Sequence, residues 1–159
     1  MLYDCSAVRR QDRLLEECRA IELLQTAAYG FLALATSEGG YGVPLNFVLR
    51  GSTIYFHSAM QGRKLRAIEA DCRATFCVVG DVRVVAEEFT SEYESVVVKG
   101  RVRVVEGDDE RVEALRSLVA KYSPKYATEG DAAIARSKHR TAVLALECES
   151  FSGKTKRMR

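Results

Sequence analysis

Residues 95–106, SVVVKGRVRVVE, alternate apolar and basic side chains over the length of a β-strand. Val96, Val98, Val102 and Val104 fall on one face with Gly100 between them, and Lys99, Arg101 and Arg103 fall on the other. Successive side chains of a strand point to opposite faces, so this period demands a sheet with one covered face. The basic stripe is either a solvated face or the lining of a groove for an anion or a partner subunit.

The rest of the chain supplies partners for that strand. Phe31–Ala35 reads as a buried strand, and Glu38-Gly39-Gly40 as a turn in which glycine reaches positive φ. Tyr41–Leu49 follows as a strand, and Pro44 places it at an edge or on a bulge because proline cannot donate to a ladder. Arg50-Gly51-Ser52 then turns the chain into Thr53–Ser58, and Arg73–Val79 and Thr141–Glu149 complete six strands. Helical spacing of Leu14, Cys18, Ile21 and Leu24 predicts a helix from Asp12 to about Leu24. Arg63–Ala70 reads as a second helix. Asp108 and Asp109 start a third, with Val112, Leu115, Val119 and Tyr122 as its apolar stripe, and Ser123-Pro124 ends it. A short helical piece spans Ala132–Arg136. Residues 81–92 are polar and carry no periodicity, which suits an active-site or dimer-contact loop. From about residue 152 the chain reads as a basic, uncapped tail. Short turns between strands, helices inserted among them and the lack of a Gly-x-Gly-x-x-Gly turn point to a mainly β, α+β antiparallel barrel in a single domain over residues 1–159.

Charge and cysteine usage narrow the function. The 24 basic and 22 acidic residues leave a net charge of +2, no broad field for nucleic acid. No stretch approaches the ~20 apolar residues that span a bilayer, and the acidic N-terminal segment lacks the apolar core of an export signal. The five cysteines are odd in number and scattered, without a Cys-x-x-Cys pair, which fits a reduced cytoplasm and no metal centre. Ser152-Gly153-Lys154-Thr155 has the end of a P-loop but Cys148 where its first glycine belongs, and no helix can follow it.

The segment IYFHSAMQGRKLRAI, residues 54–68, concentrates the chemistry. Ile54 and Phe56 share one strand face and Tyr55 and His57 the other, so a buried Phe56 turns His57 outward. Likewise Val43, Leu45 and Phe47 oppose Pro44, Asn46 and Val48, which places Asn46 on the same outer face as His57. An imidazole and an amide there are either surface groups in a hairpin or hydrogen-bonding partners for a flat polar ligand. Gly62-Arg63-Lys64 opens the following helix. Its cations are either ordinary helix surface or, with unpaired N–H groups and a close-approach glycine, a seat for a phosphate.

The fragments YGFLALAT, VPLNFV, IYFHSAMQGRKLRAI and YESVVVKGRVRVVE with the later KYSP, in this order from about Arg9 to GKTKR, resemble the pyridoxamine-phosphate-oxidase-like flavoproteins. The branch they are most similar to is that of the 5-nitroimidazole-resistance (Nim-type) proteins. The resemblance implies a six-stranded split β-barrel with flanking helices that forms a homodimer and binds FMN at the subunit interface.

On that resemblance Val43, Pro44, Leu45, Asn46 and Phe47 line the isoalloxazine, mainly through backbone groups. His57 and Ser58 lie beside it, Arg63 and Lys64 hold the phosphate, and Glu94, Ser95 and Val96 approach from the partner subunit. His57 is then the residue nearest a small aromatic substrate, orienting it or giving it a proton near neutral pH. The C-terminal Arg/His segment of the true pyridoxamine-phosphate oxidases is not found, which argues against vitamin B6 oxidation. The alternatives are an FMN carrier or sensor without turnover, and a barrel that binds an anion or nucleic acid without flavin.

Overall fold

A computed structural model describes residues 1–157. Its strands are β1 (Leu2–Tyr3), β2 (Gly30–Thr36), β3 (Gly39–Leu45), β4 (Val48–Arg50), β5 (Thr53–Ala59), β6 (Arg73–Val85), β7 (Thr90–Val104) and β8 (Thr141–Lys156). Its helices are α1 (Glu17–Thr26), α2 (Arg63–Ala70), α3 (Asp108–Tyr122) and α4 (Ala127–Ser137). The strands form one sheet in the order β3-β2-β6-β7-β8-β5-β4, antiparallel throughout, with β1 added parallel to β8.

The two ends of this path, β3 and β4, are consecutive in the chain. One strand therefore changes partner at Asn46-Phe47, leaving β2 and joining β5. The sheet curls round on itself, yet β3 and β5 are not paired, and this gap is the split of the barrel. The strand count of eight, against the six expected, comes from this break and from Leu2–Tyr3. Pro44 does lie on an edge strand, opposite Phe31, and no register shift interrupts that pairing.

Inward side chains make two cores. Leu32, Phe47, Ile54, Phe56, Phe76, Val96 and Val98 are fully enclosed in the barrel, where Phe76 meets Phe47 and Phe56 edge-on at 4.8 and 5.1 Å between ring centres. Leu23 and Leu24 of α1 and Ala67 and Ile68 of α2 join this cluster. Burial of such side chains, at about 1.5–3 kcal/mol each, is what the alternating pattern encodes. The second core lies outside the barrel, where Ala114, Leu115 and Leu118 of α3 and Ile134 of α4 cover Tyr55, Val143 and Ala145 on β5 and β8.

Several boundaries differ from those expected. The first helix begins at Glu17 rather than Asp12, because Leu14 bridges to Lys154 and the Leu15 N–H bonds the Gly153 carbonyl at 3.2 Å. Residues 81–92 are not a loop but largely a hairpin arm in which β6 runs on into β7. Periodicity fails there because the apolar Val82, Val84 and Phe89 face solvent, while the charged Glu92 is buried along with Val85. A register shift between Gly80 and Arg83, with Asp81 at φ +41°, bends the arm. The basic tail is also strand: Gly153, Lys154, Thr155 and Lys156 pair with Val96, Ser95, Glu94 and Tyr93.

Two face assignments change as well. Val104 turns out to solvent, while Val105 enters the helical core and its N–H bonds Val143. In β2 Gly30, Leu32 and Leu34 are buried, and Phe31 on the opposite face is exposed.

Candidate functional site

The hairpin of β4 and β5 sets the geometry. Val48 faces Tyr55 in its register, which, carried two residues back from the start of β4, sets Asn46 across from His57. Both side chains are exposed on the outer surface. Together with Tyr122 and Ser123 they rim a cavity of about 300 Å³, walled by Leu115, Leu118, Val119 and Ile134. The Asn46 Nδ2 donates to the Ala28 carbonyl at 2.8 Å, which orients the amide and leaves its Oδ1 as an acceptor.

The two cations of α2 are not equivalent. Gly62 precedes them at φ +136°, a conformation that favours glycine, and no side chain caps the helix start. Arg63 is exposed, pairs with Glu38 at 2.9 Å and stacks over Tyr41 at 4.8 Å. Lys64 is half-buried and has no ion-pair partner among the described residues, and its burial pushes the ammonium below its ordinary range. A desolvated cation without a counter-ion beside uncapped N–H groups fits a phosphate. The cavity at His57 includes neither Arg63 nor Lys64.

The remaining expected site residues divide by burial. Val43 and Leu45 are half-buried against the barrel core, and Pro44 is exposed on the outer side of β3, which is paired on one side only. Ser58 is half-exposed next to His57. Phe47 is enclosed and its N–H donates to the Tyr122 hydroxyl at 2.9 Å, so it shapes the strand break rather than presenting a surface. Glu94 is 7% exposed and held by Arg19 at 2.8 Å and Arg157 at 2.9 Å, chiefly through hydrogen bonding from Arg19, which keeps its carboxyl below the usual range. Val96 is in the barrel core, and only Ser95 of that trio keeps a partly exposed side chain on the outer face.

That outer face is apolar where it is uncovered. One row across the sheet runs Pro44, Phe31, Cys77, Val97, Ser152, with Phe31 47% and Val79 50% exposed. A groove of about 670 Å³ continues it over small residues, among them Ala33, Ala35, Gly39 and Thr75. The basic stripe beside it is largely neutralised, since Arg101 pairs with Glu149 and Arg103 with Glu110 and Glu147.

Residues 16–155 match the family model described as pyridoxamine 5'-phosphate oxidase. The chain belongs to the pyridoxamine 5'-phosphate oxidase family. The solved structures that share the fold of this family member include three flavin- or resistance-related proteins by name. A candidate 5-nitroimidazole antibiotic resistance protein of Bacteroides thetaiotaomicron has a TM-score of 0.74 at 19% identity over 90% of this chain and 86% of its own. The flavocytochrome Anf3 of Azotobacter vinelandii has 0.76 at 21%, over 90% and 68%. The FAD and heme binding protein of Mycobacterium smegmatis has 0.78 at 23%, over 90% and 72%. No curated protein matches the chain in sequence.

In this pyridoxamine 5'-phosphate oxidase family chain, three participants carry no sequence signal of their own. Tyr122 reads as one more apolar stripe residue, yet its hydroxyl fastens the strand break. Glu38 lies in a turn and engages Arg63 across the fold. Ser123 reads as a helix stop and rims the cavity.

Proposed function

We propose that this chain is an FMN-binding flavoprotein that works as a homodimer in the cytoplasm and passes electrons through flavin to a small aromatic acceptor, in the manner of the Nim-type nitroimidazole reductases. The observation that carries this reading is Lys64, a half-buried ammonium without a carboxylate at an uncapped helix start. In this reading Lys64 holds the phosphate, and Arg63 adds to it when it leaves Glu38. The one-sided edge of β3, from Val43 to Asn46, offers backbone groups to the ring system, with His57 and Ser58 beside it. The bound flavin supplies the redox chemistry, and the protein supplies orientation and exclusion of water. His57, exposed at the cavity rim, donates a hydrogen bond or proton to the acceptor. The row of exposed Phe31 and Pro44 and half-exposed Cys77 and Val97 gives a second copy an apolar face to cover, with Ser95 at its margin.

The test is anaerobic. FMN-loaded protein is chemically reduced and mixed with a 5-nitroimidazole. Reoxidation with formation of the amine supports the reductase, with three reduced flavins consumed per amine because each supplies two electrons and the nitro group takes six. Retained reduction favours a carrier or sensor, and a protein that stays colourless with added FMN removes the site assignment. His57→Ala is expected to spare FMN binding and slow reoxidation.

A further inference from the structure

The cavity at His57 has a composition that selects its occupant. Its walls are four aliphatic side chains from α3 and α4, and Leu115, Leu118 and Ile134 among them are at most 8% exposed. No Asp, Glu, Lys or Arg among the described residues lines it. A charged ligand seated against these walls would give up part of its hydration without gaining a carboxylate, ammonium or guanidinium partner from the lining. The polar groups at the rim are the Asn46 amide with its free Oδ1, the His57 ring and the Ser123 hydroxyl, the Tyr122 hydroxyl being engaged at the strand break. At about 300 Å³ the space lies at the small end of ligand pockets, room for one ring rather than a fused system.

We infer that this cavity binds a neutral, monocyclic aromatic molecule, with the ring between the aliphatic walls and one hydrogen-bonding substituent at Asn46 and His57. It deepens the proposed function by naming the class of acceptor, and it rests on that reading only for the role of the occupant. Binding itself requires no flavin.

Three isosteres separate charge from shape: benzamide (neutral), benzoate (anion) and benzamidine (cation). Their affinities for the full chain are measured by ligand-observed NMR, with FMN affinity measured separately by flavin fluorescence. The expected result is binding of benzamide, with the two ions weaker by about tenfold or more. Val119→Phe fills the cavity, and Ser123→Trp plugs its rim from an exposed position that tolerates bulk. Both are expected to abolish benzamide binding and leave FMN affinity unchanged, and circular dichroism checks that each variant folds. Equal or tighter binding of either ion, or undiminished benzamide binding in folded Ser123→Trp, overturns the inference. Benzamide binding without FMN binding leaves the cavity standing and removes the flavin reading; FMN binding without benzamide binding does the reverse.

Discussion

The hydroxyl of Tyr122 accepts the N–H of Phe47 at 2.9 Å and lies 2.8 Å from the carbonyls of both Phe47 and Ala28. The last turn of α3 is thereby fastened to the point where one strand leaves β2 for β5. Asn46 bonds the same Ala28 carbonyl, so the amide at the cavity rim and the strand break share one anchor. Tyr122→Phe removes that anchor and leaves the Phe47 N–H without its partner. The expected cost is about 1–3 kcal/mol, read as a lower urea midpoint with an unchanged m-value.

Lys121, one residue earlier, places its Nζ 3.9 Å from the centre of the Phe47 ring with no hydrogen-bond partner among the described residues. Burial pushes its ammonium down to about 8 from the ordinary 10.5. Between these values the folded chain holds fewer protons at this site than the unfolded chain, so stability rises with pH across that window. Below pH 8 the full penalty of the buried charge applies. Lys121→Met is therefore expected to be more stable at pH 7, and its advantage over wild type should shrink as the pH is raised. Urea titrations from pH 7 to 10 check this.

Glu94 is shifted in the same direction, but there the charged form is the favoured one. Its two arginines hold the folded carboxyl below its ordinary 4.5, so the stability it contributes is present above that value and fades as pH falls through the folded one. Glu94→Gln is expected to be less stable at neutral pH, with the gap to wild type closing in acid. Thermal melts at pH 7 and pH 3 compare them directly.

Arg63 is already engaged by Glu38, and exposed pairs of this kind are worth about 0–1 kcal/mol. Glu38→Gln frees the guanidinium and is expected to tighten FMN by up to about fivefold. Arg63→Ala is expected to weaken FMN less than Lys64→Ala does. Fluorescence titration of FMN orders the three variants.

The outward turn of His57 was legible because Ile54 and Phe56 alternate strictly with it, and period 2 leaves no other choice once Phe56 is buried. The Gly62-Arg63-Lys64 helix start was legible for the same local reason. The inequality of Arg63 and Lys64 was not, because it depends on Glu38, which reaches α2 only through the folded turn. The arm formed by residues 81–92 was hidden because its apolar Val82, Val84 and Phe89 face solvent while a charged residue, Glu92, is buried, which inverts the usual pattern. The second half of β8 was hidden by its mixture of polar and small residues, whose strand character comes from pairing with β7. The cavity depends on how α3 meets α4, where a side chain on Gly130 would come within 2.5 Å of Val119, and no local period records that contact.

In the proposed function Lys64 receives the phosphate of FMN. Parallel fluorescence titrations of wild type and Lys64→Ala with FMN, FAD and riboflavin test it most directly. Wild type is expected to bind FMN more tightly than FAD and far more tightly than riboflavin, and Lys64→Ala to remove the preference over riboflavin by weakening FMN alone. Equal affinity of wild type for FMN and riboflavin, or an unchanged preference in the variant, would contradict it.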